Sequence, residues 1–153
     1  MNGLRSDYLN KLAKTCLLDF KSVTACDLLE DLKSGEKYIC NLDPSFKPGS
    51  HYVCFSIEEK TVIFFDPYGQ PCYNDYMLKA FSDSQLSEMK YSKKCIQNDV
   101  SLFCGYFCLS QLICYEQGVS LEKFVSQFDD KDVLKNENIA INIIKDRLAS
   151  LQM

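Results

Sequence analysis

From Cys104 to Gln117 the chain places apolar side chains at nearly every position around a helical wheel. A helix that is apolar on all sides must be covered on all sides, so this segment predicts a buried spine, ended by Gly118 as a left-handed stop. Amphipathic patterns predict further helices around it. The first begins at Ser6, which would cap it with Asp7 in the first turn, and carries Tyr8, Leu9, Leu12, Ala13 and Cys16 on one side. A second, capped by Thr24, is expected to run through Cys26, Leu28, Leu29 and Leu32 to Gly35. Others are expected around Asp75 to Phe81, after Ser120 with Leu121, Phe124, Val125 and Phe128, and in a last segment bearing Ile139, Ile143, Ile144, Leu148 and Leu151.

Strand patterns fill the middle of the chain: Lys37 to Leu42, His51 to Ile57, Thr61 to Asp66 and Glu88 to Ser92, with a loop holding Pro44, Pro48 and Gly49 between the first two. The second and third runs form a hairpin. A turn centred on Glu58-Glu59 sets His51 directly opposite Asp66, where side chains share a face and β-carbons lie about 5 Å apart. A three-to-five-residue loop would shift that register by one and break the alignment. Val53, Phe55, Val62 and Phe64 line one face of this hairpin, and Cys54, Ile63 and Phe65 the other. Strands with two apolar faces are covered twice, so the expected fold is α+β, a central mixed sheet between helices.

Composition limits the function classes. The chain has 153 residues, 46% hydrophobic and 25% charged, with no repeat, low-complexity tract or linker, and it is read as one domain spanning 1–153. A net charge of -4 offers no general attraction for nucleic acid or anionic lipid. No secretory leader or membrane span is recognised, so a soluble protein made in the cytosol and not secreted is expected. Nine cysteines, mostly inside apolar runs, suit small buried hydrophobes in a reducing compartment better than a disulfide framework. Cys95, Cys104, Cys108 and Cys114 lack the Cys-x-x-Cys spacing of structural zinc sites, and no phosphate-cradling glycine loop occurs, so neither a metal nor another cofactor is expected.

The candidate chemistry lies in a few polar residues. His51 is the one histidine, so any cysteine/histidine mechanism must use it. Cys104 opens the spine helix, where the backbone dipole favours a thiolate, and Gly105 directly after it permits close backbone approach. Gln97, seven positions upstream, can offer an amide donor for the negative charge that acyl transfer builds on a carbonyl oxygen. Asp66 can orient the imidazole. Taken singly, each has an ordinary reading: one buried thiol among nine, a structural histidine, a surface glutamine, a turn aspartate before Pro67. Asn98 and Asp99 are alternatives for the polar roles.

The order His, Asp, Gln, Cys resembles the adenovirus-type capsid-maturation cysteine proteases (adenain-like) and the related SUMO-deconjugating proteases, a permutation of the papain order, in which the cysteine comes first. Phe20-Lys-Ser-Val-Thr-Ala-Cys-Asp27 resembles the family's short N-terminal block, and His51-Tyr-Val-Cys-Phe its histidine strand. Phe64-Phe-Asp-Pro-Tyr-Gly69 is similar to the acidic turn of the viral branch, and Gln97 to Cys108 to its glutamine and Cys-Gly-x-Phe-Cys block. The resemblance implies a permuted papain-like fold, with Cys104 as nucleophile, His51 as base and then acid, Asp66 orienting His51, and Gln97 as oxyanion donor. It also implies protein or peptide substrates, namely capsid or scaffold precursors, work in virions and in the host cytoplasm or nucleus, and peptide or DNA activators in some members; a monomer is expected. Tyr52 stands where the family usually has tryptophan. Phe103 stands where SUMO proteases usually have aspartate, which points to the viral branch. Two other readings stay open: a ubiquitin-like deconjugase, and a catalytically silent module that keeps only the fold.

Overall fold

Residues 20–25 hold the β-branched pair Val23-Thr24 and form an edge strand where the pattern of apolar positions suggested the approach to a helix. The computed structural model describes residues 6–98 and 103–152. Its strands are β1 (Phe20–Ala25), β2 (Lys37–Asn41), β3 (Tyr52–Glu58), β4 (Thr61–Phe65) and β5 (Glu88–Tyr91). The helices are α1 (Ser6–Cys16), α2 (Asp75–Asp83), α3 (Cys104–Glu116), α4 (Leu121–Val125) and α5 (Val133–Ser150). The strands make one mixed sheet in the order β1-β2-β3-β4-β5, with parallel pairs at both edges and antiparallel pairs in the middle. The architecture is thus α+β with helices on both faces, as the two-faced hairpin required.

Two expectations are corrected. The helix from Thr24 to Gly35 is absent: only Cys26–Leu28 makes a single 3-10 turn. Asp31 and Gly35 take φ of 51° and 91°, which no right-handed helix accommodates, while β1 finds its backbone partners along β2. The hairpin register also differs. Glu58 pairs with Thr61 and Cys54 with Phe65, so the turn is Glu59-Lys60 and the pairing lies two residues from the one that opposes His51 to Asp66. Glu59 adopts a φ of 54°, and its N–H is held by Ser34 Oγ at 2.8 Å. A shift of two keeps every side chain on its face, because the strand period is two. His51 therefore precedes β3, Asp66 follows β4, and the two still share a side of the sheet.

The sheet separates two cores. On one side Val53, Phe55, Ile57, Val62 and Phe64 pack with Met77 and Phe81 of α2. On the other, Ile39, Cys54, Ile63 and Phe65 meet Leu9 and Ala13 of α1, Phe107, Leu109 and Leu112 of α3, Phe124 of α4 and Ile144 of α5. Each fully buried Phe or Leu stabilises the fold by about 2 kcal/mol. α3 lies between β3 and α5, which is why the wheel has no polar side. Gly118 takes a φ of 85° just beyond it. Ser6, expected as a cap, is the first described residue of α1, and its hydroxyl hydrogen-bonds Tyr52 Oη. Among the described residues no helix is long and apolar enough to cross a membrane.

Candidate active site

Three chain segments converge where β3 begins, β4 ends and α3 begins. His51 Nε2 lies 2.8 Å from Asp66 Oδ1, and both side chains are largely buried. The same carboxylate oxygen accepts the Tyr68 backbone N–H at 2.9 Å, so the Asp66-Pro67-Tyr68-Gly69 turn holds its own acid in place. With Nε2 committed to Asp66, Nδ1 is the imidazole nitrogen left for the Cys104 thiol, to which His51 is hydrogen-bonded.

The electrostatics follow from these contacts. Burial works against a charged imidazole, but the hydrogen bonds to Asp66 and Cys104 and their charges outweigh it and lift the His51 pKa to about 9. Burial likewise pushes the Cys104 thiol up. Here the His51 hydrogen bond, the Tyr52 N–H, the His51 charge and the Gly105 N–H together reverse the effect and bring the thiol below its ordinary value. Each group thus favours the charged form of the other, thiolate beside imidazolium. Cys108, one turn along the same helix, is pushed well up by burial and by its neighbour Cys54, and burial also raises Cys16, Cys26, Cys40, Cys72 and Cys114. All nine cysteines are free.

Gln97 is buried, at 3% exposure, in the extended segment that precedes α3. That segment runs against the acid turn: Ile96 N–H donates to Pro67 O at 2.9 Å. A β-carbon on Gly69, whose φ is 76°, would lie 2.6 Å from Lys93 O and 2.9 Å from Cys95 N, so only glycine admits this approach. The contacts thus join Gln97 to the turn carrying Asp66. Asn98 continues the segment, and Asp99 lies outside the described residues.

Two residues that the sequence reading left without a site role support His51. Tyr68 stacks on its imidazole, with ring centroids 4.5 Å apart and planes at 30°, and the Asp-Pro-Tyr-Gly order was the available signal. Asn41, at the end of β2, accepts Asp43 N–H at 2.8 Å and Ser50 N–H at 3.3 Å, while Leu42 N–H donates to His51 O at 3.0 Å. It shapes the loop that delivers the histidine. Nothing in sequence distinguished Asn41 from an ordinary loop residue.

No protein-family model matches the chain, and no curated protein matches it. The site itself offers a thiol beside an imidazole, and a carboxylate that fixes the ring.

Proposed function

We propose that the protein is a cysteine endopeptidase with a permuted papain-like fold, cleaving viral capsid or scaffold precursors during virion maturation. The observation that carries the enzymatic part is the His51 bridge, 2.8 Å from Asp66 on one side and hydrogen-bonded to the Cys104 sulfur on the other. The Cys104 thiolate attacks the substrate carbonyl carbon. The oxyanion is held by Gln97 and by the backbone N–H of Cys104, for whose helix Phe103 supplies no side-chain cap. His51 protonates the departing amine, then takes a proton from the water that hydrolyses the thioester. The viral setting rests on the resemblance of the acid turn and the Cys-Gly-x-Phe-Cys block, with Phe103 before the nucleophile favouring that branch over deconjugation.

The test is incubation with a co-encoded structural precursor, reading the new termini by mass spectrometry. Cleavage by the native chain and none by Cys104→Ala is the expected result. Rapid labelling of Cys104 by a SUMO or ubiquitin activity probe, without precursor cleavage, would replace the viral substrate with a ubiquitin-like one.

A further inference from the structure

We propose that Asn136 of α5 is a positioning residue for the oxyanion donor, a role that rests on the reading of Gln97 above. Asn136 is 1% exposed, and its carboxamide is spread over two chain segments. Nδ2 donates to Ile96 O at 3.1 Å and to Asp129 O at 2.8 Å, and Oδ1 accepts Asp129 N–H at 2.8 Å. A side-chain amide has two donor hydrogens, and here both are used. The bond to Ile96 is the informative one, because that carbonyl belongs to the peptide unit whose nitrogen is Gln97. Holding the carbonyl fixes the plane from which the Gln97 side chain departs.

The other groups in this region act on the same segment. Ile96 N–H is bound to Pro67 O, one residue after Asp66, and Cys95 Sγ donates to Gln97 O at 2.9 Å. Lys94 Nζ reaches Phe128 O at 2.6 Å and Asp130 at 3.4 Å. The Gln97 segment is thus clamped between the acid turn and the loop before α5, with the Asn136 carboxamide a fully buried polar group in the clamp. A residue needed only for the 129–136 turn would be satisfied by its bonds to Asp129. The bond across 40 residues to Ile96 adds nothing to that turn.

The experiment separates two reactions of one sulfur. Alkylation by iodoacetamide needs the thiolate and no oxyanion donor, whereas acylation by p-nitrophenyl acetate needs both. Gln97→Ala should slow acylation about 100-fold, and Asn136→Ala about 10-fold, since small misplacements of catalytic groups carry losses of that order. Alkylation should stay within about twofold in both, and adding Asn136→Ala to Gln97→Ala should cause no further loss of acylation, as expected for residues acting through one another. Equal slowing of both reactions in Asn136→Ala, unchanged acylation, or losses that multiply in the double variant would overturn the inference. Should Asn136→Ala not fold, Lys94→Met poses the same question: acylation about threefold slower at unchanged alkylation supports the clamp, and any other pattern overturns it. Native protein that is alkylated but never acylated overturns the reading of the site itself, and the inference with it.

Discussion

The two ends of α3 both gather titratable side chains, but of different kinds. At the C-terminal end Glu116 Oε1 accepts Leu18 N–H at 2.6 Å and lies 3.4 Å from Lys37 Nζ, while Oε2 lies 3.3 Å from Arg147. Lys37 also donates to Leu18 O, and Arg147 to Cys16 O. These are carboxylate, ammonium and guanidinium groups bound to one another or to backbone, and they pin α1, α5 and the sheet to the spine. A cleft of about 920 Å3 opens beside them, lined by Glu36, Glu58, Tyr115 and Glu122 among others, and neither His51 nor Cys104 is part of its lining. At the N-terminal end the partners are a thiol and an imidazole, each favouring the charged form of the other, with Asp66 also raising the imidazole. The difference teaches that neither the size of a cleft nor the density of charge sets apart the end proposed as reactive. A thiol paired with an imidazole does.

The sharpest way to break the comparison is Cys104→Ala, which should abolish hydrolysis, a loss of at least about 10^4-fold, with the melting temperature little changed. Hydrolysis surviving in that variant would move the chemistry elsewhere. Asp66→Asn comes next. It should lower kcat on the order of 100-fold, the usual worth of a positioned acid-base group. Removing the carboxylate also removes the largest contribution that raises His51, so its pKa should fall from about 9 toward 6.5. A raised histidine pKa keeps the imidazolium present below 9 and loses it above, so the alkaline limb of the rate profile should move to lower pH in this variant.

At the other end, Glu116→Ala should behave oppositely. It strands the buried Lys37 charge and should destabilise the fold by about 3 kcal/mol, measured by urea unfolding, while kcat of the folded fraction is unchanged. A kcat loss there without a stability loss would erase the distinction between the ends. The smallest effect is expected for Tyr68→Leu. Losing the aromatic face beside the imidazolium should cost about 1 kcal/mol, read as an alkaline limb shifted down by somewhat less than one pH unit.

The sequence carried the residues of the site more clearly than the path that brings them together. His51 was singular, Asp66 closed a strand ahead of proline, and Cys104 began a helix with no polar face, so these three could be named from type and place. The meeting of His51 with Asp66 was expected from a hairpin register that is two residues off, and it survived because an even shift preserves the face. The Thr24–Gly35 stretch misled because leucines at helical spacing say nothing of the positive φ that Asp31 adopts. β1 was missed because a six-residue edge strand with a mixed face is defined by its pairing to β2, which is not local. Asn41 and Asn136 act through bonds to distant backbone, and no pattern of residue types announces that.

The central claim, a thiolate stabilised by His51, is tested most directly by the pH dependence of Cys104 alkylation by iodoacetamide, followed at that residue by mass spectrometry. In the native chain reactivity should persist at pH values where an ordinary thiol is silent, and His51→Ala should move the profile to higher pH. A native profile that already follows an unperturbed thiol, and that His51→Ala leaves where it is, would contradict the claim.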